Sequence, residues 1–346
     1  TLTDFHCEDI NLKLKMSDLS DIRNHLYFKI NKPISATNIK IFLYDDKNNI
    51  ILISPIKKLN YQINDNFTAK ELKLKGSIFD IEFSSNWKRN YNEPKSTSNE
   101  INLKNPDIFI RNLYSYKSNK EFKGSSSIDF LNENISFTYK YEKSKLKINS
   151  PEKKNNQKIK FNSMIDLDPF YFNGEIIFEE KKLSFITDYI LNFIFRIDKE
   201  FYKNLNGELK ITLTNLDNKL FNNGKILISL DNGKIENLNS FIEMEKIGIL
   251  KSTYKYKVKE GELFFQTKNE LVIANQKELA KRFQLNLKKI KSIEKIFFDF
   301  ERNIDTDEMF LSNVYLNNIN SQNLLEEIIN TNNMLVLKST LRDILP

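Results

Sequence analysis

Residues 205–237 read LNGELKITLTNLDNKLFNNGKILISLDNGKIEN, and this stretch decides the fold class. Apolar and polar residues alternate in two of its runs, with the apolar positions at Leu209, Ile211 and Leu213, and then at Ile226, Ile228 and Leu230. A period of two places apolar side chains on one face of a strand. Asn-Gly steps begin at 206, 223 and 232, and they favour tight turns. The stretch therefore predicts successive strands of a sheet that is buried on one face.

The same alternation continues toward the N-terminus. The clearest run there has Ile135, Phe137, Tyr139 and Tyr141 on one face and polar residues on the other. Residues 84–106 are rich in Ser and Asn and predict a long loop. The polar segment at 150–157 has no apolar period. It predicts a boundary between a β-rich N-terminal region, 1–150, and a second β region, 158–346.

Three segments of the second region predict helices, near 181–205, 276–283 and 321–329. In the first of them, apolar residues recur every three or four positions, as on one face of a helix. Strands near 295–301 and 308–316 predict a hairpin that turns at 303–306. The sequence thus predicts a mainly β chain with a few helices.

Composition narrows the range of partners. The net charge of +7 comes from 53 basic and 46 acidic residues. Because both signs are dispersed along the chain, there is no polybasic arm, and we expect no nucleic-acid partner. The only cysteine, Cys7, excludes a disulfide within the chain. The sequence starts at Thr1 without a visible signal peptide, so we expect a processed or excised segment whose membrane anchor lies outside it.

The residues that support most enzyme chemistry are sparse. His6, Cys7 and Glu8 are adjacent, but neighbouring residues of a strand point to opposite faces. Asp166 and Asp168 flank one leucine without the alternating strands and helices of a nucleotide-binding domain. The sequence lacks the glycine-rich phosphate loops and the nucleophile elbow. We therefore expect no catalytic residues, no metal, no cofactor and no enzyme activity.

The second region resembles the C-terminal part of the AsmA-like family of Gram-negative envelope proteins. Gly207, Leu209 and Ile211 match the family's first strand pattern. A second glycine-bounded pattern is matched by Gly224, Ile226, Ile228 and Gly233. The resemblance covers roughly 165–320, and the family's N-terminal membrane helix has no counterpart in this chain.

The resemblance implies an elongated, curved, taco-like antiparallel sheet with an open apolar groove. Members of this family are thought to carry phospholipid between the inner and outer membranes or to maintain the outer membrane. The implied partners are phospholipid acyl chains, the two membranes and other envelope proteins. The implied location is the periplasm, with an inner-membrane anchor outside this chain.

Residues of the alternating runs are the candidates for lining such a groove: Ile135, Phe137, Tyr139, Leu209, Ile211, Leu213, Ile226, Ile228 and Leu230. Acyl chains would be held there mainly by the burial of apolar surface. The alternative interpretation is a β-rich structural, binding or adhesion module in which the apolar face packs as a solid core.

Overall fold

The computed structural model describes most of the chain between residues 5 and 320. Its described residues are 5–15, 32–45, 48, 50–63, 69–78, 81–90, 96–104, 107–118, 121–130, 133–151, 157–167, 169–181, 205–218, 220–259, 262–283, 286–303, 306, 309–317 and 319–320.

Strands account for nearly all of the described secondary structure. Those of the first half are β1 (Phe5–Glu8), β2 (Asn11–Lys15), β3 (Ile34–Tyr44), β4 (Ile50–Ile63), β5 (Ala69–Ile78), β6 (Ile81–Asn90), β7 (Ser96–Leu103), β8 (Ile108–Ser118), β9 (Glu121–Phe130), β10 (Glu133–Glu142), β11 (Lys145–Asn149), β12 (Ile159–Leu167) and β13 (Phe170–Glu179).

The second half adds further strands and two short helices. They are β14 (Gly207–Thr214), β15 (Phe221–Asp231), β16 (Lys234–Met244), β17 (Gly248–Lys259), β18 (Glu262–Ile273), α1 (Gln276–Phe283), α2 (Leu287–Ile290), β19 (Lys295–Asn303), β20 (Met309–Leu316) and β21 (Ile319–Asn320).

The strands belong to one sheet, in which consecutive strands pair antiparallel from β3 to β12 and from β16 to β21. The prediction of a mainly β chain with an unclosed, curved antiparallel sheet is confirmed. One edge departs from the antiparallel pattern, because β1 and β2 both pair in parallel with β3. Phe5 lies opposite Ile34 and Asn11 lies opposite Lys40, so the two short strands follow the same edge one after the other.

The chain divides into two compact units. The N-terminal unit comprises residues 1–177, 184–209 and 230–234, and the C-terminal unit comprises 178–183, 210–229 and 235–346. The predicted regions 1–150 and 158–346 stay a prediction.

A core of the N-terminal unit forms where β3, β4 and β5 lie side by side. Ile39 lies opposite Ile56, and both are 4% exposed or less. Leu59 and Leu74 are also opposite each other and pack against this pair. Alternate residues of each strand point to the same face, so one face of these strands becomes apolar.

The C-terminal unit has its core where α1 covers the sheet. Asn275 caps the helix, because its side chain accepts a hydrogen bond from the Glu278 amide at 3.1 Å. Leu279 and Phe283, one turn apart, are buried against Leu271 and Ile296 of the sheet. The predicted helix at 276–283 is thereby confirmed, as is the hairpin of β19 and β20.

Two other sequence predictions have different outcomes. Apart from Lys181 and Leu205, the helices predicted near 181–205 and 321–329 lie outside the described residues. The long loop predicted at 84–106 is wrong, because β6 and β7 occupy most of this segment and pair with each other. Most of its Ser and Asn residues do not alternate with apolar residues, so the strands are recognisable only from their pairing with neighbouring strands.

Candidate functional site

The sheet of the N-terminal unit has two faces of different chemistry. Residues directly opposite each other on paired strands share a face. We call one side the apolar face, and its central row consists of Leu74, Ser85, Ile101, Ile110, Ile128 and Ile135.

The charged face lies on the other side of these strands. Arg111 and Asp129 form an ion pair there at 3.0 Å. Lys145 and Asp166 form another, also at 3.0 Å. Such exposed pairs contribute little to stability, but they keep this side of the sheet hydrated.

Aromatic side chains form a continuous cluster on the apolar face. The Phe122 ring stacks on Tyr141 with centroids 4.9 Å apart and meets Tyr139 edge-on at 6.2 Å. Phe137 contacts both Tyr139 and Phe161, with centroids 6.4 and 6.1 Å away. The aromatic cluster extends through Tyr114 to Trp87, where the ring centroids lie 6.1 Å apart. Because most of these rings are only half-buried, they present apolar surface that a ligand can cover.

A glycine sets the position of one ring in the aromatic cluster. Gly124 lies opposite Tyr139, and the Tyr139 ring lies across it. A β-carbon at Gly124 would be 2.5 Å from Tyr139 Cζ and 2.7 Å from the carbonyl oxygen of Leu113. The absence of a side chain at 124 therefore lets the ring lie flat along the apolar face.

A polar row crosses the same face beside the isoleucines. Asn99 is opposite Asn112, which is opposite Ser126. Ser85 donates a hydrogen bond to Asn99 Oδ1 at 3.0 Å, and Ser126 donates one to Asn112 Oδ1 at 2.5 Å. These contacts offset the cost of burying the polar groups. Sequence reasoning missed this row, since Ser85 and Asn99 lie in the segment 84–106 that is predicted as a loop.

The groove candidates of the N-terminal unit divide by exposure. Phe137, Tyr139 and Leu209 are half-buried, so part of each side chain is accessible. Ile135 is 3% exposed and Leu230 is 7% exposed. The structure thus brings Phe137 and Tyr139 together in the aromatic cluster, with Ile135 on the same face.

The groove candidates of the C-terminal unit are all buried. Ile211 and Leu213 are 0% and 1% exposed. Ile226 and Ile228 are both 4% exposed. Their side chains pack within the protein, as in a core, and their role in lining a groove stays a prediction.

The C-terminal unit has a surface depression of its own. Its volume is about 830 Å³, and aromatic rings of Phe241, Phe297 and Tyr315 form part of its wall. Glu270 lies among them and pairs with Lys295 at 2.8 Å. The hydrogen bond and charge of Lys295 outweigh the effect of burial and hold the pKa of Glu270 below its ordinary value.

Groups suited to metal binding are scarce in the described part of the chain. No cluster of three or more His, Cys, Asp or Glu side chains occurs there. His6 contacts Ser35 Oγ at 2.9 Å, and Cys7 is exposed. Among the same residues, no helix has the length and hydrophobicity to cross a bilayer.

Comparison with protein-family models, with curated proteins and with solved structures finds no match to this chain.

Proposed function

We propose that this chain is a non-enzymatic cell-envelope protein that binds phospholipid acyl chains on the apolar face of its N-terminal unit. The observation that supports the proposal is the half-buried aromatic cluster, which continues into the central isoleucine row. Acting in the periplasm, the protein would carry phospholipid between the inner and outer membranes or maintain the outer membrane. Its inner-membrane anchor would lie outside this chain.

The energetics of an acyl chain suit such a face. Each CH₂ group removed from water contributes about 0.8 kcal/mol. A chain of ordinary length is therefore held without a specific polar contact, and it can slide along a row of apolar groups. Aromatic rings add wide, rigid contact surfaces that lose little conformational entropy on binding. The resemblance to AsmA-like proteins supports the same assignment.

Trp87 allows a direct test, because it is the only tryptophan of the chain and belongs to the aromatic cluster. Phospholipids with brominated acyl chains quench tryptophan fluorescence at short range. We expect quenching in the wild-type protein and in Leu113→Lys, which places a charge on the charged face at a side chain that is 55% exposed. We expect quenching to be lost in Phe137→Lys and Tyr139→Lys.

Folding of each variant is checked by circular dichroism, and Phe137→Leu serves as a conservative replacement that keeps the apolar surface. Equal quenching in the folded Lys variants and in the wild-type protein would overturn the proposal. So would the absence of quenching in the wild-type protein.

A second candidate is a β-rich structural, binding or adhesion module with a solid core. The depression of the C-terminal unit favours it, because aromatic rings there are surrounded by side chains that form hydrogen bonds. Phe241 is 43% exposed at this site. A protein that takes up no phospholipid from liposomes, and whose Phe241→Ala variant loses binding to an envelope extract, would support this candidate instead.

A further inference from the structure

One row of the apolar face changes in chemistry along its length. Lys70 lies opposite Arg89, and the register of β6 and β7 places Arg89 opposite Thr97. Thr97 is opposite Tyr114, and the row continues through Gly124 to Tyr139. Two cations and a hydroxyl group therefore lead directly into the aromatic cluster. This order matches an amphiphile, with a polar head at one end and an apolar chain at the other.

The two cations are buried side by side. Lys70 is 2% exposed and Arg89 is 9% exposed. Burial, and then the positive charge of Arg89, lower the pKa of Lys70. Like charges on neighbouring strands repel each other more strongly in a protein interior than in water. Both side chains have other interactions within the protein, and an anion between them would reduce their mutual repulsion.

Two further polar groups lie beside the cations. In the described structure, the hydroxyl of Thr97 and the indole N–H of Trp87 are buried without a hydrogen-bond partner. Thr97 is 1% exposed. A buried donor that lacks a partner costs free energy, which a ligand oxygen can recover. Arg and Lys supply charge-assisted hydrogen bonds to phosphate, and Arg can make two at once.

We propose that Lys70, Arg89, Thr97 and Trp87 form a headgroup site for a phosphate-bearing amphiphile. The inference rests on the proposed function, since the acyl chain would lie over Tyr114 and Tyr139 in the aromatic cluster. The headgroup site selects anionic phospholipids, whereas the aromatic cluster holds the acyl chain of any lipid.

The test compares two amphiphiles that differ by one phosphate group, with inorganic phosphate as a third ligand. Oleoyl lysophosphatidic acid, monoolein and inorganic phosphate are each titrated against the full chain, and Trp87 fluorescence reports binding. We expect lysophosphatidic acid to bind at least about tenfold more tightly than monoolein, because hydrogen bonds to charged groups are strong. Inorganic phosphate should bind much more weakly than either, since it lacks the acyl chain.

Substitutions test whether the headgroup site causes the preference for lysophosphatidic acid over monoolein. Lys70→Gln with Arg89→Gln should reduce the affinity for lysophosphatidic acid to that for monoolein and leave monoolein binding unchanged. Thr97→Val, which preserves shape, should reduce the same preference by a smaller factor. Lys75→Gln with Lys88→Gln removes the same charge from the charged face and should change neither affinity.

The outcomes separate this inference from the proposed function. If monoolein and lysophosphatidic acid bind equally well, or if the Lys70 and Arg89 substitutions leave the preference intact, the headgroup site is refuted and acyl-chain binding stands. If inorganic phosphate binds as tightly as lysophosphatidic acid, the site is a free-anion site and the proposal is also wrong. If neither amphiphile binds, the proposed function itself fails.

Discussion

Gly124→Ala tests the close approach of Tyr139 to the strand beneath it. The added β-carbon would be 2.5 and 2.6 Å from Tyr139 Cζ and Oη, and 2.7 Å from the Leu113 carbonyl oxygen. Non-bonded carbon atoms pack at about 3.5–4.0 Å, so the ring must move by about 1 Å. The ring can rotate away, but the Leu113 oxygen belongs to the backbone of β8 and can yield only if that strand shifts.

The expected loss of stability combines two opposing effects. Overpacking of this kind costs about 1–3 kcal/mol. Alanine also restricts the unfolded chain, which returns about 0.4–1 kcal/mol. We therefore expect the free energy of unfolding to fall by about 1–2 kcal/mol. Gly174→Ala is the matched control in the same unit, because its β-carbon would be 3.3 Å from Ser163 Cβ and 3.5 Å from Leu209 Cδ1.

Urea unfolding monitored by Trp87 fluorescence measures both changes in the N-terminal unit. The control should be neutral or slightly stabilising, since its contacts are near van der Waals distances. In a Tyr139→Ala background, Gly124→Ala should cost less than it does in the wild-type protein, because only the part due to the Leu113 oxygen remains. A Gly124→Ala protein within about 0.5 kcal/mol of the Gly174→Ala protein would refute the argued packing of Tyr139 on the apolar face.

Three further predictions concern burial and charge. Ile211→Ala should lower the free energy of unfolding, measured in urea, by about 2–5 kcal/mol because Ile211 is 0% exposed, whereas Leu113→Ala should change it by less than about 0.5 kcal/mol. Equal losses would contradict the assigned burial. Lys70→Met should raise the free energy of unfolding at neutral pH, and this gain should shrink as the pH rises toward 10.5, because folded wild-type Lys70 loses its proton between its lowered pKa and the ordinary value of 10.5. A gain that does not change with pH would contradict the lowered pKa. Glu270→Gln should remove a stabilising contribution that is present above the ordinary carboxyl pKa of 4.5 and is lost as the pH falls through the lower folded-state pKa; thermal melts should show a larger deficit at pH 7 than at pH 3, and an equal deficit at both would contradict the lowered pKa.

Sequence alternation predicted the strands whose two faces differ in polarity. Ile135, Phe137, Tyr139 and Tyr141 were placed on one face, and the ladder of β9, β10 and β11 puts them there. The period of two works at this position because the apolar face is lined by rings and the charged face by Ser136, Thr138 and Lys140.

Sequence alternation did not predict strands that have polar residues on both faces. Ser84, Ser85 and Asn86 offer no contrast between the faces of β6, so the segment resembles a loop. Its strand conformation depends on partners distant in sequence, since Ser85 is opposite Leu74 on one side and Ile101 on the other. Buried hydrogen bonds replace apolar contacts in this part of the sheet, and local sequence does not reveal them.

Alternation also did not show which apolar positions remain accessible. Ile211 and Phe137 follow the same pattern in the sequence, yet Ile211 is fully buried and Phe137 is half-buried. A lysine at Ile211 or Ile228 would place a charge in a packed interior and destabilise the protein whether or not a groove exists. Phe137 and Tyr139 are therefore the positions at which a charge separates lipid binding from folding.

Native mass spectrometry of the protein purified from a Gram-negative host tests acyl-chain binding on the apolar face most directly. The account predicts phospholipid adducts on the wild-type protein and on Leu113→Lys, and their loss from a Tyr139→Lys protein that circular dichroism shows to be folded. A wild-type protein that shows only its apo mass and takes up no phospholipid from liposomes would contradict the account.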